Sequence, residues 1–228
     1  MKNVLILAIV ILTLISCRNN SIPDGKETSK PLSSENIATK DTIINFEGNE
    51  SGKLPDGFTQ TATGETQALN WKVETNLRNK SVAQLAKNDD DHYNLLILNK
   101  PSYKNLIMSV KTKAIAGYQD QGGGLVWRYI DNNNYYMARY NPLENNFRLY
   151  HVVKGNRVKM KSININIKSG EWFTMKVEMN GNKISCSLND KVMIQTNDDT
   201  FTKAGRVGFW TKADAQSYFD DLNIRPLY

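Results

Sequence analysis

The sequence predicts an all-β fold, a two-sheet antiparallel β-sandwich. Three observations lead to this prediction. From residue 41 onwards, short runs of alternating or β-branched residues recur at close spacing. Clusters of asparagine, aspartate and glycine, which are typical of turns, separate these runs. No segment keeps a helical period of apolar residues over about ten positions. Many short strands joined by hairpin turns are typical of two packed sheets.

Thirteen runs are predicted as strands, because their apolar side chains alternate with polar ones or form a short continuous block. In chain order they are Thr42–Phe46, Trp71–Thr75, Tyr93–Leu98, Leu106–Lys113, Gly124–Ile130, Tyr135–Asn141, Phe147–Val153, Val158–Ile167, Trp172–Met179, Lys183–Asn189, Lys191–Thr196, Val207–Lys212 and Tyr218–Ile224. Hairpin turn signals lie at Asp131–Asn134, Gly155-Asn156, Asn180–Asn182 and Asn189-Asp190. The first strand, near Phe46, and the last, near Phe219, are expected to lie close together.

Residues 1–17 are predicted to be an export signal rather than part of the fold. One lysine precedes an apolar run from Val4 to Ile15, which is shorter than the roughly 20 residues of a membrane span. The segment Leu14-Ile15-Ser16-Cys17 resembles the lipobox of bacterial lipoproteins, which implies that Cys17 becomes the lipidated first residue. The alternative is an ordinary secretory signal with a chance cysteine.

The rest of the chain is predicted to comprise a tether and one domain. Residues 18–40 are polar, contain two prolines and show no apolar periodicity, so we expect a flexible tether. Residues 41–228 are expected to form the β-sandwich, which is long enough to bury a large single core. With Cys17 acylated, Cys186 is the one thiol left, and no intramolecular disulfide is available. The expected location is the cell envelope, with the lipid anchor in a membrane and the domain periplasmic or at the cell surface.

The charge of the chain argues against a nucleic-acid partner. The formal net charge is +6, and loss of Lys2 with the signal leaves +5. No run of five or more basic residues occurs, so the charge is spread out rather than concentrated in one patch.

Three blocks of sequence carry a resemblance to a known superfamily. They are GGGLVWRYIDNNNYYMARYN at 122–141, GEWFTMKVEMNGNKISCSLN at 170–189 and AGRVGFWTKADAQSYFDDLNI at 204–224. Their order resembles the concanavalin A-like lectin/glucanase superfamily, and more closely its laminin-G-like exported bacterial branch near the 3-keto-disaccharide hydrolase domain. The resemblance covers about Thr42 to Arg225 and implies a jelly-roll sandwich. It leaves the activity open, because lectins, hydrolases and adhesion modules share this fold.

The window from Gly122 to Tyr150 holds five of the ten tyrosines and three arginines. Turns at Asp131–Asn134 and Asn141–Asn146 predict three consecutive antiparallel strands, with Val126 opposite Arg139. One face then carries Leu125, Trp127, Tyr129, Tyr136, Ala138, Tyr140, Phe147, Leu149 and His151, and we expect it to be the core face. The other face carries Val126, Arg128, Ile130, Tyr135, Met137, Arg139, Arg148, Tyr150 and Val152.

All three arginines fall on this second face, where Arg139 and Arg148 are predicted to be directly opposite each other. We expect Arg128, Arg139, Arg148, Tyr135 and Tyr150 to bind a polar ligand, because aromatic rings stack on sugar rings while guanidinium groups donate hydrogen bonds to hydroxyls or carboxylates. Two alternatives remain open. A carboxylate such as Glu144 neutralises the arginines, or the arginines point to water.

A second candidate cluster lies at Trp210–Asp214. Trp210 alternates with Phe209, so one ring is expected in the core and the other exposed. Trp210 and Lys212 are therefore added to the predicted ligand-binding residues. The alternative is a solvated strand end.

Sequence patterns for catalysis and metal binding are weaker than those for ligand binding. The glucanase relatives use an E-x-D-x-(x)-E strand, and no glutamate here is followed two residues later by aspartate, so no catalytic residue is assigned and enzymatic activity stays open. His92 and His151 lie far apart in the sequence, which disfavours zinc. A structural calcium ion could be bound by Glu47, Asp220 and Asp221 at the sandwich edge, or one aspartate points outward.

Three functions therefore compete. The favoured one is a lipid-anchored envelope protein that binds carbohydrate, a glycan fragment or an acidic sugar, on the arginine–tyrosine face. The second is a glycan-degrading hydrolase of the same fold, similar to the 3-keto-disaccharide hydrolases. The third is a protein-interaction module whose partner the sequence does not name.

Overall fold

The structure is a computed structural model that describes residues 36–65 and 68–228. Within these residues every long regular element is a strand, and no helix there is long and apolar enough to cross a membrane. The strands are β1 (Thr42–Ile44), β2 (Phe58–Thr63), β3 (Trp71–Asn76), β4 (Asn79–Gln84), β5 (Tyr93–Leu98), β6 (Leu106–Ala116), β7 (Gly123–Asp131), β8 (Asn134–Asn141), β9 (Asn146–Val153), β10 (Asn156–Asn164), β11 (Phe173–Asn180), β12 (Lys183–Leu188), β13 (Lys191–Asn197), β14 (Arg206–Lys212) and β15 (Gln216–Pro226).

The strands form two antiparallel sheets, which confirms the predicted β-sandwich. The eight-stranded sheet has the order β13-β12-β11-β6-β15-β4-β3, with β1 also paired to β15. The seven-stranded sheet has the order β10-β9-β8-β7-β14-β5-β2. Thr42 lies opposite Ile224 in the β1–β15 pair, so the first and last strands are neighbours, as predicted.

The main core lies between the inner faces of the two sheets and is rich in aromatic rings. Phe209 of the seven-stranded sheet stacks on Phe219 of the eight-stranded sheet at a centroid distance of 4.7 Å. Trp127 stacks on Tyr136 at 5.6 Å, and both side chains are fully buried. Cys186 is a buried free thiol in the same core. Burial of these large apolar side chains supplies the favourable free energy of folding in the part of the chain described here.

Two strands were missed from the sequence because their composition is largely polar. β2 reads FTQTAT and β4 reads NKSVAQ, and neither has the apolar alternation that predicts a strand. Both lie in the sheets because their backbones pair with stronger neighbours, β2 with β5 and β4 with β3 and β15. Where the side-chain pattern is weak, cross-strand pairing thus decides whether a segment forms a strand.

The predicted register between β8 and β9 is confirmed, whereas the register between β7 and β8 is wrong. Arg139 lies opposite Arg148, as expected. In the other pair Val126 lies opposite Met137 rather than Arg139, because the register shifts between Trp127 and Asp131. Between these paired positions β7 has three residues, Arg128–Ile130, where β8 has only Tyr135. The resulting bulge holds two extra residues and re-aims the side chains within it.

The bulge moves Arg128 away from the other arginines, so its predicted place on their face is wrong. Arg128 has a positive φ of 45° and is 2% exposed. Its guanidinium group donates to the carbonyl oxygens of Lys104, Phe201 and Gly181, and it touches the turn between β11 and β12 of the opposite sheet. Tyr129, predicted for the core face, instead joins the face that carries Arg139. Arg128 therefore connects the two sheets.

Candidate functional site

The seven-stranded sheet curves strongly towards its outer face. β10 and β5 are separated by five strand spacings of about 4.8 Å, or roughly 24 Å in a flat sheet. Nevertheless the guanidinium carbon of Arg157 on β10 lies 5.1 Å from the ring centroid of Tyr93 on β5. Side chains from distant strands can meet in this way only if the sheet is bent. We refer to this outer face as the concave face.

An apolar cluster fills the floor of the concave face. Tyr135 is fully buried, and its hydroxyl forms a hydrogen bond with Thr63. Trp210 is also fully buried, so the prediction that one ring of the Phe209–Trp210 pair would be exposed is wrong. Curvature explains the error, because it surrounds a side chain that a flat sheet would expose to water. The members of the cluster are Leu95, Ile97, Val126, Tyr129, Tyr135, Met137, Tyr150, Val152 and Trp210.

Glu144 neutralises both opposed arginines, which was one of the alternatives left open by the sequence. One oxygen of its carboxylate accepts from Arg139 at 2.8 Å and from Arg148 at 2.9 Å. The amide of Asn146 donates to the same oxygen at 2.9 Å. Burial alone would raise the pKa of Glu144, but Asn146 and the arginines outweigh it and lower the pKa to about 2. Arg139 is 1% exposed, whereas Arg148 is half-buried at the edge of the concave face.

Arg157 is the basic residue that the sequence prediction missed. Its guanidinium carbon lies 4.7 Å from the ring centroid of Tyr150, 5.1 Å from that of Tyr93 and 5.6 Å from that of Trp210. Its Nη1 atom is buried and has no hydrogen-bond partner among the described residues. Alternation in β10 was the available signal, because Arg157 and Lys159 pair with Val152 and Tyr150 of the same face.

A buried carboxylate, Asp120, lies beside Asn141, the last residue of β8. It accepts a hydrogen bond of 3.0 Å from the side chain of Asn141. Its loop is held by Asp214, whose carboxylate accepts the backbone N–H groups of Tyr118, Gln119 and Asp120 itself at 2.7 to 3.1 Å. No periodic pattern marks a loop carboxylate, so sequence reasoning could not select Asp120.

Electrostatic interactions link Asp120 to the basic residues around it. Burial raises the pKa of Asp120, although Arg139, Lys212 and Arg157 act in the opposite direction. Lys212 is half-buried at the end of β14 and forms an ion pair with the exposed carboxylate of Asp90. We call the group Tyr93, Asp120, Tyr150, Arg157, Trp210 and Lys212 the basic–aromatic site.

The residues predicted to bind calcium each have other partners. Glu47 accepts the backbone N–H of Lys80 at 2.8 Å, and Asp221 pairs with Lys111 at 2.7 Å. Asp220 accepts a hydrogen bond from Asn79 at 2.9 Å. Across residues 36–65 and 68–228, no group of three or more His, Cys, Asp or Glu side chains has an arrangement that could hold a metal ion. The predicted lipidation residue, Cys17, lies outside the described residues.

Solved structures share this fold at low sequence identity. The carbohydrate-binding module CBM66 from Bacillus subtilis is 16% identical with a TM-score of 0.60, over 73% of this chain and 94% of that chain. The β-glucanase of Bacillus licheniformis is 9% identical with a TM-score of 0.57, over 82% and 99%. A protein described as a native glycosidic hydrolase is 10% identical with a TM-score of 0.57, over 84% and 98%. No curated protein matches the chain.

The chain is therefore a concanavalin A-like β-sandwich with the fold of carbohydrate-binding and glycosyl hydrolase-like proteins. Comparison of the sequence with family models identifies the family. The model of the 3-keto-alpha-glucoside-1,2-lyase-like domain matches residues 22–225, and the chain belongs to this family. The resemblance inferred from the three sequence blocks is confirmed.

Proposed function

We propose that the chain binds carbohydrate at the basic–aromatic site and prefers sugars that carry an acidic group. The observation that carries this proposal is the placement of Arg157. Its guanidinium group lies against three aromatic rings and keeps a buried N–H without a partner. An unpaired buried donor costs about 1–3 kcal/mol, and a ligand oxygen at that position would recover this free energy.

The surrounding charges favour an acidic ligand. Arg157 and Lys212 are both partly accessible, and Lys212 is balanced by an exposed aspartate that a ligand can displace. Tyr93 is half-buried, so part of its side chain is accessible to a sugar. Arginine forms two parallel hydrogen bonds with a carboxylate, which gives directional selectivity as well as attraction.

Titration calorimetry with tetragalacturonic acid tests this proposal. Arg157→Gln is expected to weaken binding at least about tenfold, which corresponds to about 1.4 kcal/mol. Lys168→Gln removes the same charge from an exposed loop residue and should bind like the wild type. The uncharged methyl ester of the same tetrasaccharide should compete poorly. Equal affinities for the wild type and Arg157→Gln would contradict the proposal, provided that both proteins unfold at the same temperature.

A second candidate function is elimination on a 3-keto-glucoside, and the buried Asp120 favours it together with the family match. The 3-keto group acidifies the C2–H bond of such a sugar. Asp120, with its raised carboxyl pKa, would take the C2 proton as general base. Negative charge would develop on the C3 oxygen, where Arg157 and Lys212 can stabilise it. The C1=C2 double bond would then form as the C1–O bond breaks, and the departing aglycone oxygen would take a proton from water.

The elimination can be followed with methyl 3-keto-α-glucopyranoside. The expected product is a conjugated enone, whose ultraviolet absorbance rises as methanol is released. Asp120→Asn should abolish this signal, while tetragalacturonic acid should still bind because Arg157 and Lys212 are unchanged. Turnover by Asp120→Asn at the wild-type rate would remove Asp120 from the role of base, and absence of turnover in the wild type would leave the binding function alone.

We also propose that the chain is an exported lipoprotein of the cell envelope, anchored through Cys17. The support is the apolar segment that precedes the lipobox-like residues. Labelling with a radioactive fatty acid in a bacterial host should mark the wild type and leave Cys17→Ser unlabelled. Equal labelling of both proteins would exclude Cys17 as the acylated residue.

A further inference from the structure

A pair of aromatic rings lies on the outer face of the other, eight-stranded sheet. Trp172 directly precedes β11, and Tyr218 belongs to β15. Their rings are stacked at a centroid distance of 6.4 Å with an interplanar angle of 24°. The ammonium group of Lys113, on the strand between them, lies 5.0 Å from the ring centroid of Trp172 and 5.2 Å from that of Tyr218. Because Trp172 is 41% exposed, the pair offers an accessible aromatic surface.

Next to these rings lies a surface depression of about 440 Å³, which is within the range of roughly 300–1,000 Å³ typical of small-ligand sites. A β-bulge in β15 shapes it, because the register shifts between Asp220 and Asn223 and Asp221 has a positive φ of 50°. The bulge lets the consecutive residues Asp220 and Asp221 both line the depression. Bulges of this kind re-aim side chains next to functional sites.

The polar groups of the depression are already held in position. Asp220 is 5% exposed and accepts a hydrogen bond of 2.9 Å from Asn79. Asp221 pairs with Lys111 at 2.7 Å. These contacts fix hydrogen-bond donors and acceptors beside the aromatic pair, which is the combination that recognises the apolar face and the hydroxyl groups of a sugar ring.

Leu77, at the rim of the depression, is unusual in two respects, its exposure and its backbone conformation. Leu77 lies in the two-residue turn between β3 and β4, is 95% exposed and has a positive φ of 59°. Glycine is preferred where such a turn needs a positive φ, and a bulky residue there is strained. A fully exposed, strained leucine at the edge of a depression suits contact with a ligand and not the stability of the turn.

We propose that this depression, lined by Trp172, Tyr218, Asp220 and Lys111, is a second carbohydrate site, separate from the basic–aromatic site and selective for neutral pyranose chains. The charges determine the selectivity, because Lys111 in the depression is already paired with Asp221 and a second carboxylate, Asp220, lines the depression as well. A neutral sugar can exchange hydrogen bonds with all of them, whereas an acidic sugar would meet two carboxylates.

The ligand is an oligosaccharide rather than a single sugar. Trp172 lies between two depressions, because it also lines a neighbouring one of about 460 Å³ that includes Phe173 and Met193. A chain that continues across the indole ring contacts both depressions. Affinity should therefore rise from a disaccharide to a tetrasaccharide of the same linkage.

Tryptophan fluorescence reports selectively on this site. All four tryptophans lie within the part of the chain that the structure describes, and Trp172 is 41% exposed while the other three are at most 3% exposed. Collisional quenching by acrylamide therefore measures access to Trp172. The probes are maltotetraose, cellotetraose, laminaritetraose and mannotetraose at millimolar concentrations, as a shallow site requires. At least one of them should protect Trp172 from acrylamide in the full chain.

Variants separate this site from the concave face. Trp172→Ala should weaken binding of the protecting tetrasaccharide about tenfold, measured by calorimetry. Ile43→Ala removes an exposed apolar side chain from β1, outside the depression, and should bind normally. Tyr218→Ala provides a second test if Trp172→Ala has a lowered unfolding temperature.

Three results would overturn the proposal. They are the absence of protection by every tetrasaccharide, wild-type affinity in both aromatic variants, and binding of the neutral sugar that is lost in Arg157→Gln rather than in Trp172→Ala. The last result would assign the neutral sugar to the concave face. Failure of the acidic-sugar experiment leaves this site unaffected, since the two sites are on different sheets.

Discussion

Replacement of Glu144 by glutamine tests the electrostatic organisation of the concave face. The Glu144 carboxylate accepts hydrogen bonds from two guanidinium groups and one amide, those of Arg139, Arg148 and Asn146. Glutamine keeps the size of the side chain and removes its negative charge. Arg139, which is 1% exposed, would then lack its direct counter-charge inside the protein.

The expected loss of stability follows from the burial of the two partners. Breaking a fully buried ion pair costs about 3–5 kcal/mol. Glu144 is 42% exposed, and Asp120 still attracts Arg139, so solvent screening reduces the expected loss for Glu144→Gln to about 2 kcal/mol at neutral pH. Arg148→Gln removes the partly exposed partner and should cost less than about 1 kcal/mol.

The lowered pKa of Glu144 predicts how the stability of the folded protein changes with pH. The pKa of Glu144 falls from its ordinary value of 4.5 to about 2 in the folded protein. A depressed pKa of an acid means that its contribution to stability is complete above pH 4.5 and is lost as the pH falls from 4.5 towards 2. The difference in stability between the wild type and Glu144→Gln should therefore shrink over this range.

Urea denaturation at several pH values measures both effects. Glu144→Gln should be clearly less stable than Arg148→Gln at neutral pH, and the slope of the unfolding free energy against urea concentration should be the same in both variants. Equal destabilisation of the two variants would refute the claim that burial of Arg139 sets the cost. A constant difference between the wild type and Glu144→Gln from pH 5 to pH 2 would refute the pKa argument.

Three further predictions concern the scaffold. The Arg128 guanidinium group donates to three carbonyl oxygens, and a lysine ammonium group cannot reproduce this arrangement. Arg128→Lys should therefore lower the free energy of unfolding by about 2–4 kcal/mol. A loss below about 1 kcal/mol would contradict the role of Arg128 between the sheets. Gly208→Ala would place a Cβ 2.1 Å from a β5 carbonyl oxygen and should lower the unfolding temperature, whereas Gly48→Ala meets nothing within 4 Å and should not. Burial raises the pKa of the Cys186 thiol to about 12. In a Cys17→Ser variant, thiol reagents should therefore label Cys186 only as fast as the protein unfolds. Immediate labelling would disprove the burial of Cys186.

Parts of the site were predictable because they depend on local alternation. The opposition of Arg139 and Arg148 followed from a turn of known length and a side-chain period of two, and the structure confirms it. Glu144 was available in that same turn as a neutralising carboxylate. Arg157 belonged to the next strand and could have been added by continuing the alternation across one more hairpin.

Other parts depended on long-range contacts that no local pattern contains. Gly205 packs against the backbone of Arg128 so closely that a Cβ there would lie 2.5 Å from the Arg128 carbonyl carbon, at the position where β7 bulges. Nothing near Arg128 in the sequence signals this approach, and the predicted place of its side chain was wrong as a result. Asp120 reaches the site because Asp214, 94 residues further along the chain, holds its loop.

The sequence by itself determined that the chain is an antiparallel β-sandwich, because strand alternation and turn residues act over a few neighbouring positions. It also determined the family, because the three motif blocks remain in order along the chain. The tertiary structure alone decided that Arg157 meets Tyr93 across five strand spacings and that Trp172 and Tyr218 form one aromatic surface on the other sheet. Both juxtapositions arise from the curvature and pairing of whole sheets, which depend on all strands together.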